Sequence, residues 1–134
     1  MAIVESIKTL RTFLSEHSNQ RPIYMTSGGF DPLHIGHVRC IQGTYNRASN
    51  RDIHRWGFEG LVVVVVNADS FLIRKKGYAF MPLEERMEII NAIHGVDYVV
   101  PWETDRDQTV CGAIDILKPS FFTKGGDKIG RAHV

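Results

Sequence analysis

The chain has 134 residues, of which 43% are hydrophobic, and a formal net charge of +1. This length fits one folded domain, and the near-neutral charge gives no reason to expect nucleic acid or an anionic membrane as a partner. Two cysteines, Cys40 and Cys111, provide neither a disulfide framework nor the ligand spacing of a zinc site. No signal peptide is visible, and the longest apolar run, Leu61–Val66, is far too short to span a bilayer. We therefore expect a cytoplasmic protein.

The N-terminal half of the chain alternates predicted helices and strands. Apolar residues at helical spacing predict an amphipathic helix over residues 2–17, and Ile23–Thr26 predicts a short strand. A second helix is predicted over residues 35–46. We interpret the polar residues 47–60 as a helix extension followed by a solvated loop, with a functional arm as the alternative. Leu61–Val66 is a continuous β-branched run, typical of a strand covered on both faces.

The C-terminal half continues the alternation. Pro82 suits the first turn of a helix that is predicted to run to Gly95. Asp97–Pro101 predicts a third strand, ended by the proline, and residues 108–117 predict a further helix. Phe121–Thr123 predicts a fourth strand. The order α-β-α-β-α-β-α-β predicts an α/β fold with a Rossmann-like parallel sheet and helices on both faces.

Three polar, glycine-rich segments follow strand ends, at residues 27–37, 67–77 and 124–127. Ligands of open parallel sheets bind at the carboxyl ends of the strands. We therefore expect the three segments to converge on one site.

The first of these segments has the features of a phosphate-binding turn. Gly28 and Gly29 let the backbone approach an anion closely, and the helix that begins near His34 points free N–H groups at the same place. His34 and His37 share one face of that helix, so both imidazoles could donate to phosphate oxygens. Two alternatives are a purely structural turn and a zinc site, for which Asp31 is the only local third ligand.

The run Gly29–His37 resembles the His-x-Gly-His motif of the cytidylyltransferase-like nucleotidyltransferases. The resemblance covers residues 22–127, is closest to the adenylyltransferase domain of bifunctional heptose-phosphate enzymes, and extends less closely to glycerol-3-phosphate cytidylyltransferases. The further matches, in chain order, are Val65–Ser70, Lys75–Gly77, Pro82–Met87, Val96–Val100 and Lys124–Asp127.

The resemblance implies that a phosphate on a small sugar or polyol attacks the α-phosphorus of ATP or CTP, and that pyrophosphate leaves. ATP is favoured by the closer likeness to the heptose enzymes. No protein nucleophile is needed, so catalysis would come from positioning and charge stabilisation. Mg²⁺ is the expected cofactor because it bridges phosphate oxygens while needing few protein ligands. A homodimer is left open.

Two other functions are alternatives to nucleotidyl transfer. A non-catalytic nucleotide-binding module of the same fold is the alternative from another class. A redox Rossmann protein is disfavoured because the three-glycine fingerprint is absent.

The resemblance assigns three roles to individual residues. The residues expected to stabilise phosphate charge in catalysis are His34, His37, Lys75, Lys76 and Arg86. Those expected to bind the nucleotide and its phosphates are Ser27, Gly28, Gly29, Phe30 and Gly36. Those expected near the substrate are Asp31, which could also contact Mg²⁺, Asn67, Asp69, Lys124, Gly125, Gly126 and Asp127. The alternatives are a solvated basic turn for the lysines, an exposed helical ion pair for the arginine, and turn formation for the polar pair after the second strand.

The C-terminus departs from the family pattern. These enzymes continue with a further strand and a Ser/Thr-rich turn that grips the nucleotide, whereas this chain ends seven residues after Asp127. Residues 129–134 match a reading frame of a widely used sequencing adapter (ATC GGA AGA GCA CAC GTC), and Lys128 as AAG supplies the preceding AG. We therefore predict an incomplete nucleotidyltransferase domain at 1–127, with an open sheet edge beside Thr123, and a non-native tail at 128–134. A naturally short C-terminus is the alternative.

Overall fold

A computed structural model describes residues 2–17, 21–56, 59–103, 110–124 and 128–131 of the chain. In chain order the strands are β1 (Ala2–Ile3), β2 (Ile23–Gly28), β3 (Leu61–Asn67), β4 (Tyr98–Trp102), β5 (Phe121–Lys124) and β6 (Lys128–Arg131). The helices are α1 (Ile7–His17), α2 (Ile35–Trp56), α3 (Asp69–Lys76), α4 (Leu83–Asn91) and α5 (Cys111–Leu117).

The strands form one sheet in the order β1-β4-β3-β2-β5-β6. The first five are parallel, whereas β6 runs antiparallel to β5. The register of β2 and β3 runs from Ile23 opposite Leu61 to Gly28 opposite Val66, so the two strands end together at one edge of the sheet. The predicted Rossmann-like parallel sheet is confirmed.

Helices cover both faces of the sheet, as predicted. Side chains alternate along a strand, so Val63 and Val65 belong to a core cluster with α1 and α5, whereas Val62 and Val64 belong to a second cluster with α2 and α4. The five residues Val62–Val66 each have 0% exposure. The β-branched run is therefore the central strand that its sequence indicated.

The predicted N-terminal helix is wrong at its start. Ala2–Ile3 forms an edge strand that pairs in parallel with Tyr98–Val99 of β4. The helix α1 begins only at Ile7, and the Ser6 hydroxyl accepts a hydrogen bond from the Thr9 N–H at 3.1 Å, as an N-cap does. Ile3 fits the helical spacing of the apolar residues in α1, but its pairing with Val99 of β4 places it in the sheet. The spacing was therefore misleading at this residue.

Two further boundaries differ from the prediction. The segment after β3 contains the helix α3, which ends at Gly77 with a φ of 88°. Pro101 lies inside β4 opposite Val66 rather than ending the strand. Proline is tolerated there because β1 pairs only with Tyr98 and Val99, so one side of Pro101 has no ladder bond to lose.

The elements at the other uncertain boundaries agree in part with the prediction. Helix α2 continues to Trp56, which confirms the helix extension that we inferred from residues 47–60. Helix α5 begins at Cys111, and its predicted first residues, 108 and 109, lie outside the described residues. The open edge expected beside Thr123 is not observed, because β6 pairs with β5 there. The assignment of residues 128–134 as a non-native tail stays a prediction.

Three buried threonines connect β2, β5 and α2. The Thr26 hydroxyl donates to the Thr123 carbonyl at 3.1 Å, and the Thr44 and Thr123 hydroxyls lie 2.9 Å apart. All three residues have 3% exposure or less. This network fixes the end of β5 against β2, at the edge of the sheet where the glycine-rich turn follows β2.

A partly buried carboxyl group at the opposite end of the sheet gives a pH-dependent prediction. The Asp97 carboxylate accepts a hydrogen bond from the Val62 N–H at 2.8 Å. Burial raises the pKa of Asp97, against the smaller lowering effects of that hydrogen bond and of Arg21. The folded-state pKa of Asp97 therefore lies above its unfolded-state pKa. The free energy of unfolding decreases as the pH rises from the lower of these two pKa values through the higher one.

We therefore expect Asp97→Asn to be more stable than the wild type at pH 7, because its amide oxygen still accepts the Val62 N–H. The two proteins should have equal stability at about pH 3, where the Asp97 carboxyl group of the wild type is protonated in both the folded and the unfolded state. Urea unfolding at several pH values measures this difference, with Asp115→Asn on the exposed face of α5 as the control. A less stable Asp97→Asn at pH 7 would contradict the prediction.

Candidate functional site

The segments that follow β2 and β3 converge at the carboxyl edge of the sheet. One nitrogen of Arg86, Nη1, donates to the Gly29 carbonyl at 2.8 Å and to the Asn67 carbonyl at 2.6 Å. The predicted convergence of these two segments is thereby confirmed. The strand β5 pairs with β2 and leads toward the third segment, but Gly125, Gly126 and Asp127 lie outside the described residues.

His34 and His37 form a stacked pair at the start of α2. Their ring centroids lie 3.8 Å apart with an interplanar angle of 28°. The Nδ1 atom of His37 accepts a hydrogen bond from the His34 N–H at 3.1 Å, and the Nδ1 atom of His34 accepts one from the Gly36 N–H at 3.1 Å. Both imidazoles are therefore held by backbone groups of the same turn.

These hydrogen bonds assign the tautomer of both rings. Because each Nδ1 is an acceptor, the proton of each neutral imidazole lies on Nε2, which is then a donor. Burial lowers the pKa of His37, and the neighbouring His34 lowers it further. At neutral pH, His37 is thus a neutral Nε2–H donor, and the Nε2 atom of His34 is a donor beside it.

Gly36 is required for this arrangement. A Cβ atom at position 36 would lie 2.9 Å from Cε1 and 3.0 Å from Nδ1 of His34. Atoms this close would push the His34 ring away from its place over the turn. The glycine between the two histidines therefore sets the position of the first imidazole.

Gly28 and Gly29 make room for protein side chains. A Cβ atom on Gly28 would lie 3.1 Å from the Phe30 ring, and one on Gly29 would lie 2.7 Å from Leu72 of α3. The absence of a side chain at these positions is therefore required by protein packing, and the close approach of their backbone to an anion stays a prediction. Phe30 is itself buried, has a φ of 54°, and contacts His37 edge-on with centroids 5.1 Å apart. The turn is packed to support the histidine pair.

Asp31 holds the loop between α3 and α4. Its carboxylate accepts hydrogen bonds from the N–H groups of Phe80 and Met81, each at 2.6 Å, and forms an ion pair with Lys76 at 3.0 Å. Although burial raises the pKa of Asp31, these interactions lower it below its ordinary value overall. The side chain is only 1% exposed, so Asp31 is engaged with the protein.

The two adjacent lysines have different surroundings. Lys76 donates to the Asp31 carbonyl at 2.7 Å in addition to its ion pair, and its Nζ lies 4.8 Å from the centre of the Tyr78 ring. Lys75 is exposed, and we find no ion pair for it among the described residues. The alternative of a solvated basic turn therefore fits Lys75. It does not fit Lys76, which is bound to Asp31.

Arg86 is buried, with 1% exposure of the residue. In addition to its bonds to the two strand-end carbonyls, it donates to the Met81 carbonyl at 2.9 Å and to the Asp69 carboxylate at 2.5 Å. The alternative of an exposed helical ion pair is therefore wrong. Asn67 contributes its carbonyl to this network, and Asp69 contributes a carboxylate that is 42% exposed.

The remaining predicted residues lie as follows. Ser27 is half-buried near the end of β2, where it lies opposite Val65 of β3. Lys124 is the last residue of β5. Sequence reasoning did not assign a role in the site to Thr44, Thr123 or Leu72. The two threonines hydrogen-bond to each other beside the end of β2, and Leu72 packs against Gly29. A polar residue on the apolar face of α2 was the available signal for Thr44.

The described residues form no preformed metal-binding site. No group of three or more histidine, cysteine, aspartate or glutamate side chains is close enough among them to hold an ion. The Asp31 carboxylate, the predicted contact for Mg²⁺, already accepts two backbone N–H groups and pairs with Lys76. Among the described residues, the histidine pair therefore has no third ligand of the kind a zinc site needs, and the association of Mg²⁺ with the site stays a prediction.

A parallel sheet with a glycine-rich turn and a histidine pair at the carboxyl end of its central strands is the arrangement expected of a Rossmann-like nucleotidyltransferase. The family model described as cytidylyltransferase-like matches residues 25–132. The chain belongs to the cytidylyltransferase-like family of nucleotidyltransferases.

Curated relatives and a solved structure agree with this assignment. The chain is 37% identical over 107 residues to proteins named bifunctional protein HldE from Photorhabdus laumondii and Yersinia pestis. These matches cover 78% of this chain and 20% of each relative, so the chain spans about a fifth of their length. A lipopolysaccharide core biosynthesis protein from Thermoplasma volcanium shares the fold, with a TM-score of 0.59 and 20% identity over 75% of this chain and 71% of that one.

No helix in the described part of the chain combines the length and the apolar character that crossing a bilayer requires.

Proposed function

We propose that this protein joins a nucleoside monophosphate, from ATP or CTP, to a small phosphorylated sugar or polyol and releases pyrophosphate. The observation that carries the proposal is the stacked pair of His34 and His37, whose Nδ1 atoms are both held by backbone N–H groups. Two adjacent Nε2–H donors at a helix N-terminus are suited to bind the phosphates of a nucleotide. The match to HldE proteins favours a sugar phosphate as acceptor and ATP as donor.

In this proposal the protein works by positioning and by stabilising charge. The acceptor phosphate attacks the α-phosphorus in line with the leaving pyrophosphate, so one P–O bond forms as another breaks. His34 and His37 donate hydrogen bonds to the oxygens on which negative charge accumulates. Lys75 or Lys76 would neutralise phosphate charge, and Lys76 would have to leave its ion pair with Asp31 to do so.

Mg²⁺ accompanies the nucleotide and neutralises its phosphate charge when it is bound. Because the described residues form no cage for the ion, we assign no ligand to it and no step of the reaction to a protein–metal contact.

The proposal is tested by measuring pyrophosphate release from Mg-ATP and Mg-CTP with a panel of sugar and polyol phosphates. Release that depends on the acceptor, and that is lost in His37→Ala, is the expected result. The competing function is a nucleotide-binding module without catalysis. Nucleotide binding without pyrophosphate release, whichever acceptor is present, would favour that module and contradict our proposal.

Gly36→Ala is expected to lower the rate of pyrophosphate release by about tenfold or more, because the new Cβ displaces the His34 ring. The fold should tolerate the change, since alanine is favoured over glycine in a helix by about 1 kcal/mol. Gly43→Ala on the same helix is the matched control, because its Cβ would meet no atom within 4 Å. Equal rates for the two variants would contradict the role given to Gly36.

A further inference from the structure

The guanidinium group of Arg86 joins separate parts of the chain that meet at the site. Four of its five N–H groups donate hydrogen bonds. Their acceptors are the carbonyls of Gly29, Asn67 and Met81 and the carboxylate of Asp69. These acceptors lie after β2, at the junction of β3 and α3, and before α4, so one side chain fixes three chain segments relative to one another.

The same geometry leaves Arg86 little capacity to bind a ligand. Its side chain has 0% exposure, and its planar guanidinium group cannot turn toward a phosphate without breaking several of these bonds at once. The charge is balanced inside the protein by Asp69, which keeps the buried cation paired. A residue in this position acts on a ligand only through the segments that it holds.

Those segments carry groups on both sides of the proposed reaction. Gly29 begins the turn that leads to the histidine pair, whereas Asn67 ends β3, where the acceptor is expected. In-line attack depends on the alignment of two bound substrates, and a displacement of about 1 Å can reduce a rate about 10²-fold. Correct spacing of the two strand ends is therefore a requirement for the reaction.

We infer that Arg86 is a positioning residue, which holds the nucleotide side and the acceptor side of the site in register and does not touch the phosphates. This inference rests on the proposed function. It distinguishes Arg86 from His34 and His37, which donate to the ligand directly. It also gives Asp69 a role as the counter-charge of Arg86.

The test compares Arg86→Lys and Asp69→Asn with the wild type, with His37→Ala as the ligand-contact variant. Arg39→Lys, on the exposed face of α2, is the matched control. Positioning predicts that Arg86→Lys lowers kcat about 10²-fold while the Kd for the nucleotide changes by less than about threefold. Asp69→Asn should show the same pattern more weakly, because its amide oxygen still faces the guanidinium group.

Amide hydrogen exchange of the ligand-free protein gives a second measurement. Arg86→Lys should raise the exchange rates of residues 28–31, 67–69 and 80–82, whereas Arg39→Lys should leave these rates unchanged. Should Arg86→Lys fail to fold, Asp69→Asn decides both measurements, since it retains the arginine and an acceptor oxygen.

Three outcomes would overturn the inference. A nucleotide Kd weakened about tenfold or more with unchanged exchange would indicate a direct phosphate contact. An unchanged kcat in folded Arg86→Lys would indicate a role in stability alone. Unchanged exchange at all three segments would mean that Arg86 does not hold them. If the wild type itself releases no pyrophosphate, the proposed function fails separately, and the exchange measurement still decides whether Arg86 fixes the segments.

Discussion

Replacement of His37 by alanine is expected to slow pyrophosphate release about 10²- to 10³-fold, the usual cost of removing one preorganised donor from a transition state. The substitution removes the Nε2–H donor and also the Nδ1 atom that accepts the His34 N–H. The buried core loses only the edge-on contact of His37 with the Phe30 ring, because His37 is partly exposed at the edge of the sheet. A steady-state assay of pyrophosphate release measures the effect.

The control for this prediction is His17→Ala, which removes an exposed histidine from α1. It should leave the rate unchanged. His37→Gln is an informative intermediate, since its amide is a neutral donor and should restore part of the rate. A His37→Ala protein that retains about half of the wild-type rate or more would contradict the role of the histidine pair.

Replacement of Arg86 by methionine is expected to lower the free energy of unfolding by about 3–5 kcal/mol, because three backbone carbonyls lose their buried hydrogen-bond donor at a cost of about 1 kcal/mol or more each. The partly exposed Asp69 carboxylate would also lose its partner. Urea unfolding, followed by far-UV circular dichroism, measures this loss.

Arg39→Met is the matched control for that measurement, because Arg39 is an exposed arginine on α2. Its effect should be within about 0.5 kcal/mol of zero. A loss below about 1 kcal/mol for Arg86→Met would mean that water or rearranged side chains replace the guanidinium group, and that the network contributes little to stability.

The sequence predicted the fold well because the strongest patterns are local. The run Leu61–Val66 has the composition of a strand covered on both faces, and it is the buried centre of the sheet. The short helix α3 was missed because only Leu72 is buried in it, so its sequence carries no apolar periodicity. The N-terminal strand was missed because pairing with β4, a non-local contact, overrides a helical spacing.

The candidate site was predicted less completely than the fold. The spacing of His34 and His37 indicated a shared face, and the structure brings their rings together. The direction of long charged side chains could not be predicted, because it depends on partners far along the chain. Arg86 donates to a carbonyl 57 residues away, and Lys76 pairs with a carboxylate 45 residues away. Sequence patterns identify such residues but do not show whether they face the ligand or the protein.

The central claim is that the α-phosphorus of a nucleotide is transferred to a phosphorylated sugar or polyol. Phosphorus-31 NMR of the reaction mixture tests it most directly, because it separates every phosphorus product. We predict a pyrophosphate signal and a matching pair of diphosphate-ester signals, in equal amounts, only when nucleotide and acceptor are both present. Formation of a nucleoside diphosphate together with orthophosphate or a newly phosphorylated acceptor would show transfer of the γ-phosphorus instead, and would contradict the account.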